Sequence, residues 1–395
     1  MAYITNVRVK KFDSDKWVVN TPHGRNILVN DQTAELLSLL KKADSEEDVL
    51  IAFNNQFHQN ISVSDLEKLL NDKFGSLNIL AIDKTPEKAR QSYLSIKVEL
   101  LNAKVAEFLA EPFKYLYHPK LFWPVLTLAI LFNAFLFTSY LDLKVNTLAG
   151  VSALQVLMML YFSMLIHEIG HVAACKKIGV QNGGIGFGFY IIFTVVYADI
   201  TNIWFASKSQ RIIANLGGIY LEILYAGAIG FVSVYTTNPS LLVISFGLCI
   251  KVLAELNPFI RHDGYWILSD LTSTPNLLPR ANYILKEFIR TRLFKRSRTI
   301  LDEYTTKMWL LLVYGFVNTG FILVYLSLML TTYFKEILCF PQNVYGIIEK
   351  IWSQQISWDD LKAEYLLVFG FYIIVLRLMI SLIIKIRKRN SAITG

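Results

Sequence analysis

Three absences narrow the field before any motif is read. Cysteine is scarce: Cys175, Cys249 and Cys339 are all there is in 395 residues. Two of them lie within or beside apolar segments, so a disulfide framework and a Cys-rich metal site are both excluded. The N-terminus is charged and alternating, and it lacks the basic start, apolar core and small-residue cleavage site of a secretory signal; it is expected to stay in the cytoplasm. No inverted repeat accompanies the polar residues inside the apolar runs, which argues against a metal-binding transporter built from matching halves.

Apolar sequence is abundant. With 54% apolar residues and a mean hydropathy of +0.41, the chain is too hydrophobic for an ordinary soluble protein, yet long enough to carry a soluble appendage. Runs at 121–140, 150–174, 212–235, 240–256, 308–334 and 365–384 each approach the roughly 20 residues that a spanning helix needs. The net charge of +8 follows from topology rather than from nucleic-acid binding. Lys176, Lys177, Lys208 and Arg211 follow the second run, 280–307 is densely basic, and Lys385, Arg387, Lys388 and Arg389 close the chain, as cytoplasmic loops require. Both termini are therefore expected in the cytoplasm, with 141–149, 236–239 and 335–364 outside.

The fold class expected is a polytopic α-helical membrane protein of about six transmembrane helices with a re-entrant strand or hairpin, plus a small N-terminal α+β winged-helix-like cytoplasmic domain. The organisation expected is a peptide-recognition domain at 1–83, an amphipathic connector at 84–120, the six-span body at 121–386 and a basic tail at 387–395. In the first domain, 3–12 alternates as a strand and 17–29 reads as two strands turning at Pro22, His23 and Gly24. Three helices should follow, starting at Asp31, at Ser45 with Asp48 three residues on, and at Ser64 with Glu67 likewise placed; 79–82 should return as a strand. Acids such as Asp31, Glu35, Glu46, Glu47, Asp48, Asp65 and Glu67 outnumber the lysines of this helical part, so phosphate would be repelled and nucleic acid is not an expected partner. The connector over 87–113 is expected to be an amphipathic helix, with Leu100, Val105, Phe108 and Leu109 facing lipid or protein.

Inside the second apolar run stands His167-Glu168-Ile169-Gly170-His171. Ionisable groups at bilayer depth are costly and mark a functional site. Histidines four apart share one helical face and can ligate one ion, while Glu168 sits beside it as a general base, the arrangement that hydrolyses amide bonds. A third protein ligand is needed, from the same depth. About sixteen residues precede His167 in its run, or roughly 24 Å of helix, which places it toward the cytoplasmic side. Asp263 lies on that side, where Pro258 breaks the helix and Gly264 frees the backbone; Asp199, Glu222 and His262 are its rivals. The glycines Gly183, Gly184, Gly186 and Gly188 lie in 183–192, too short to cross as a helix. They suggest a re-entrant strand whose exposed edge would hold an extended peptide.

The His-Glu-Ile-Gly-His run, together with Asn257-Pro258 and Asp263-Gly264 closing another span, resembles the site-2 protease family of intramembrane zinc metalloproteases over residues 120–275. The resemblance implies one zinc held by His167, His171 and Asp263, Glu168 as the catalytic base, and Asn257 in contact with substrate. Asp263-Gly264-Tyr265-Trp266 and the later Ser269-Asp270 look like the bacterial branch associated with peptide maturation and export, which implies the bacterial cytoplasmic membrane. His262 is a departure from that pattern. The N-terminal domain is similar to the small winged-helix domains that recognise leader peptides. The expected function is thus a membrane-embedded zinc metalloprotease acting on a ribosomally made peptide, with Gly184, Gly186, Gly188 and Asn257 binding substrate. The alternatives are cleavage of a single-span regulatory protein, and a non-enzymatic peptide exporter or immunity component.

Overall fold

The computed structural model describes residues 7–13, 16–21, 26–42, 46–58, 60–74, 97–140, 153–190, 193–293, 306–353 and 363–391. These form two compact units, Met1–Pro275 and Asn276–Gly395.

The first unit opens with an antiparallel sheet in the order β1 (Arg8–Asp13), β2 (Lys16–Asn20), β3 (Asn26–Val29). Three helices cover it: α1 (Asp31–Lys42), α2 (Glu46–Phe57) and α3 (Val63–Phe74). Val7 and Val19 from the sheet meet Leu36, Leu37 and Leu40 of α1, Val49 and Phe53 of α2, and Leu66 and Leu70 of α3 in one apolar core, as the helical spacing of these residues dictates. Asn30 caps α1 by accepting the Thr33 N–H at 3.0 Å. The third helix starts earlier than Ser64. Ser62 is its cap, donating its backbone N–H and its hydroxyl to Asp65 and accepting the Asp65 N–H, so Ser62 and Asp65 form the capping box instead of Ser64 and Glu67. Ser45, the turn at 22–25 and the strand expected at 79–82 lie outside the described residues.

The connector is corrected more sharply. Lys97–Leu101 is a strand, β4, because its Lys-Val-Glu-Leu-Leu sequence alternates and pairs far away in the chain. Asn102 then caps the short helix α4 (Ala103–Ala110) through the Val105 N–H at 3.0 Å. Leu100, Val105 and Phe108 are exposed, whereas Leu109 packs on the core of the unit. A 3-10 turn, Glu111–Tyr117, leads into α5 (Pro119–Ser139), and α6 (Ala153–Ile178) carries the His-Glu-Ile-Gly-His run.

The stretch 183–192, expected as a re-entrant strand or hairpin, holds one strand, β5 (Ile185–Tyr190), which forms a hairpin with β6 (Phe193–Ala198) beyond that stretch, in the sheet order β4-β5-β6. The glycine strand is therefore central. Gly186 pairs with Glu99 on one side and Tyr197 on the other, and Gly188 pairs with Lys97 and Val195. Beyond the sheet come α7 (Lys208–Asn215), α8 (Gly217–Thr236), α9 (Pro239–Glu255) and α10 (Asp263–Leu271). A Cβ on Gly170 would stand 2.3 Å from the Gly217 carbonyl oxygen, so α6 and α8 touch backbone to backbone, and only glycine permits it. The N-terminal sheet rests on the segment after β6: Phe12 lies 5.6 Å from Trp204, the Arg211 guanidinium sits 3.8 Å from the Phe12 ring, and the Asn26 side chain donates to the Thr201 carbonyl at 3.0 Å.

The second unit contains α11 (Leu277–Leu293), α12 (Thr306–Thr332), α13 (Phe334–Trp352) and α14 (Ala363–Ser391). Gly315 of α12 approaches Ala281 of α11, and Met329, Ile337 and Val368 join α12, α13 and α14. The stretch 335–364, expected as an external connection, thus contains a long helix.

Four helical runs among the described residues are long and apolar enough to cross a membrane: Pro119–Ser139, Gln155–Ile178, Lys208–Thr236 and Thr306–Thr332. The spans expected at 240–256 and 365–384 fall on α9, which has 17 residues, and on α14, whose apolar part is Leu367–Ile380.

Candidate metal centre

His167 and His171 lie one turn apart on α6, both buried, with their Nε2 atoms 3.1 Å apart. Asp263, the first residue of α10, brings Oδ2 to 3.0 Å from His167 Nε2 and 3.2 Å from His171 Nε2. The ligand atoms of these three residues all lie within 4.8 Å of one another.

The donor set fits a cation on chemical grounds. His171 Nδ1 faces the Ala214 carbonyl oxygen at 2.8 Å; a carbonyl only accepts, so Nδ1 carries the hydrogen and Nε2 of the neutral ring presents a lone pair. His167 Nδ1 likewise faces Glu222 Oε2 at 3.0 Å. Two imidazole lone pairs and a carboxylate oxygen therefore converge, and Asp263 Oδ2 is buried without a hydrogen-bond donor. Three acceptors in contact repel one another unless a cation lies among them. The space is held open by Gly218, since a Cβ there would stand 2.5 Å from His167 Nε2 and 2.6 Å from His171 Nε2.

Glu168 is not drawn into the cluster. Its Oε2 accepts the Ala198 N–H at 2.6 Å, which ties the carboxylate to the end of β6. That strand pairs only with β5 in this sheet, so its other edge lies beside Glu168. Among the described residues, the open edge beside Glu168 is that of β6, not of the glycine strand, both of whose edges are occupied. Gly184 and Gly186 have a packing reason of their own: a Cβ at Gly184 would meet the Glu99 carboxylate and the Leu101 carbonyl, and one at Gly186 would meet the Tyr197 ring.

Asp263 reaches the histidines through a turn that its sequence explains. Asn257 Oδ1 accepts the Phe259 N–H at 2.9 Å, closing the Asn-Pro turn. A Cβ on Gly264 would lie 2.1 Å from the Leu256 carbonyl oxygen, so only glycine lets α10 start against the end of α9. Asp270 anchors the other end of α10, accepting Arg211 Nε at 2.6 Å and Asn215 Nδ2 at 2.9 Å.

The rivals for the third ligand are placed elsewhere. Asp199 is exposed and accepts both the backbone and the hydroxyl of Thr201. His262 turns its Nδ1 to Glu255 Oε2 at 2.8 Å. Glu222 touches the site from behind: wholly buried on α8, it holds His167 Nδ1 and is itself held by Ser163 and by Lys251, the latter at 2.8 and 3.0 Å. Lys251 approaches Glu255 to 3.6 Å but engages Glu222 more closely. Gly218, Ala198 and Ser163 carry no motif that sequence could have flagged. Asn133 donates to the Ala129 carbonyl and, across helices, to the Ile223 carbonyl.

No family model matches this chain, and no solved structure matches it. A Bacillus subtilis (strain 168) protein, provisionally named peptide zinc metalloprotease protein YydH, is 28% identical over 118 residues. The match covers 29% of this chain and 46% of that protein, so this chain spans about half the length of the relative. That protein's name describes a zinc metalloprotease, and the two histidines and the aspartate of this chain form a cluster that could hold a metal ion.

Proposed function

We propose that the chain is a membrane-embedded zinc metalloprotease that hydrolyses a peptide bond in or near the bacterial cytoplasmic membrane, in the maturation or export of a ribosomally made peptide. The observation that carries this reading is the division of labour on one helix turn: His167 and His171 converge with Asp263 on an acceptor-only cluster, while Glu168 is held apart by Ala198. The name of the Bacillus subtilis relative supports it.

His167, His171 and Asp263 would hold the zinc, which when bound supplies Lewis acidity toward a carbonyl and toward water. Glu168 accepts the proton that the attacking water gives up and returns it to the leaving nitrogen. The Ala198 N–H keeps that carboxylate oriented. An extended substrate would pair along the open edge of β6, which supplies the backbone partners that unwound peptide groups need away from water. Asn257 uses Oδ1 within its own turn, which leaves Nδ2 to donate to a substrate carbonyl. A leader peptide would add to the N-terminal sheet, whose outer strands are β1 and β3. Both termini would lie in the cytoplasm.

The test is to incubate the purified protein and its Glu168→Ala variant with candidate peptides and to read the products by mass spectrometry. Cleavage by the parent alone is expected; identical products from both would overturn the protease reading.

A further inference from the structure

The metal cluster is backed by a chain of alternating charges that runs through three helices. Glu222 on α8 accepts or faces three groups at once: His167 Nδ1 at 3.0 Å, the Ser163 hydroxyl, and Lys251 Nζ at 2.8 and 3.0 Å. The Lys251 ammonium then lies 3.6 Å from Glu255 Oε1, and Glu255 Oε2 meets His262 Nδ1 at 2.8 Å. His262 directly precedes Asp263. The two ends of the chain are therefore His167, one converging ligand, on α6, and His262, the neighbour of the converging ligand Asp263, in the α9–α10 turn.

Resting on the zinc reading above, we infer that Lys251 is a positioning residue that fixes the geometry of the metal site by holding Glu222 and Glu255 together. Two carboxylates this close to one cluster would repel each other and the Asp263 carboxylate, and burial strengthens that repulsion. One ammonium between them removes it and sets both directions. Glu222 then has a single orientation, in which it takes the His167 Nδ1 hydrogen and turns Nε2 toward the cluster, the way a carboxylate partner orients a metal-binding imidazole. Glu255 draws His262 away from the cluster, which leaves the place beside the histidines to Asp263. Lysine suits this position because its flexible stem delivers a compact charge to two acceptors on different helices.

The test uses the full chain in detergent and reads zinc affinity by competition with chelators of graded strength, alongside the visible spectrum of the cobalt-substituted protein. Lys251→Met, which preserves length and apolarity, is expected to weaken zinc binding by about 10- to 100-fold, as losing an outer partner of a ligand does, and to shift the cobalt bands. Lys251→Arg, which keeps the charge, is expected to recover most of the affinity. A folded Lys251→Met protein with the zinc affinity and cobalt spectrum of the parent overturns the inference, as does Lys251→Arg behaving no better than Lys251→Met. Should Lys251→Met fail to fold, Glu255→Gln is read instead: weakened zinc binding supports the inference, and unchanged binding overturns it. A parent protein that binds no zinc overturns both this inference and the reading it rests on. A zinc-binding parent whose Glu168→Ala variant cleaves peptide normally overturns the protease reading alone.

Discussion

The first unit holds two three-stranded antiparallel sheets, and they are built to opposite ends. The N-terminal sheet, β1 to β3, is made from consecutive sequence and spends its apolar residues on a core: Val19 and its neighbours meet Leu36, Leu37, Leu40 and Phe53. The second sheet draws β4 from beyond two membrane-length helices and carries glycines in its central strand. Its most consequential contact is polar, the Ala198 N–H on Glu168. The first sheet makes a domain, and the second delivers a strand edge to a carboxylate. The first sheet meets the segment just past the end of β6, where Phe12 lies against Trp204 and Arg211.

If that contrast holds, changes in the second sheet and its partners should alter chemistry without unfolding the chain, and changes in the first should do the reverse. The largest effect belongs to Glu168→Gln, expected to lower peptide hydrolysis by about 100- to 10,000-fold while zinc content, read by elemental analysis, stays at the parental level. In the first domain, Leu37→Ala should cost about 2–5 kcal/mol of local stability, seen as faster amide exchange throughout α1 to α3, with zinc retained. Loss of zinc in that variant would mean that the two sheets are not separate in function. Ala198→Pro removes the donor that orients Glu168, a charge-assisted bond of about 1.5–3 kcal/mol; hydrolysis should fall about 10- to 100-fold with metal content unchanged.

The smallest expected effect is at the start of α3. Ser62→Ala should cost about 1 kcal/mol through the lost cap, measured by amide exchange in the first turn. The same cap gives a pH dependence of known sign. The Ser62 hydroxyl and backbone N–H hold the Asp65 carboxyl below its ordinary value, so the folded pKa is lower than the unfolded one. Its contribution is therefore complete above about pH 4, the ordinary aspartate value, and is lost as pH falls through the folded value. Amide exchange at Asp65 that is unaltered by acid would contradict this.

What sequence could and could not show follows the same division. The His167 and His171 pair was legible because helical periodicity alone puts residues four apart on one face. Asp263 was legible because Pro258 and Gly264 announce a break at the right depth, and the close approach of Gly264 to Leu256 gives that glycine its physical reason. The N-terminal helices were legible by their apolar spacing, although two overlapping serine-acid patterns competed for the start of α3 and the earlier one won. The role of 97–101 was not legible, because a short alternating segment does not name its partner, and the partner here is β5, far along the chain. For the same reason the glycine strand was expected at an edge. That Glu222 and Lys251 meet behind His167 was not legible, because only the packing of α6, α8 and α9 brings them together. Gly218 gave no signal at all, since its purpose is the volume its missing side chain leaves beside the two imidazoles.

The central claim is that His167, His171 and Asp263 hold a metal beside a Glu168 kept free of it. The most direct measurement is the zinc content of purified Asp263→Ala set against Asp199→Ala. Loss of zinc from Asp263→Ala, with the parental amount kept by Asp199→Ala, is the predicted result; zinc retained by Asp263→Ala and lost from Asp199→Ala would contradict the account.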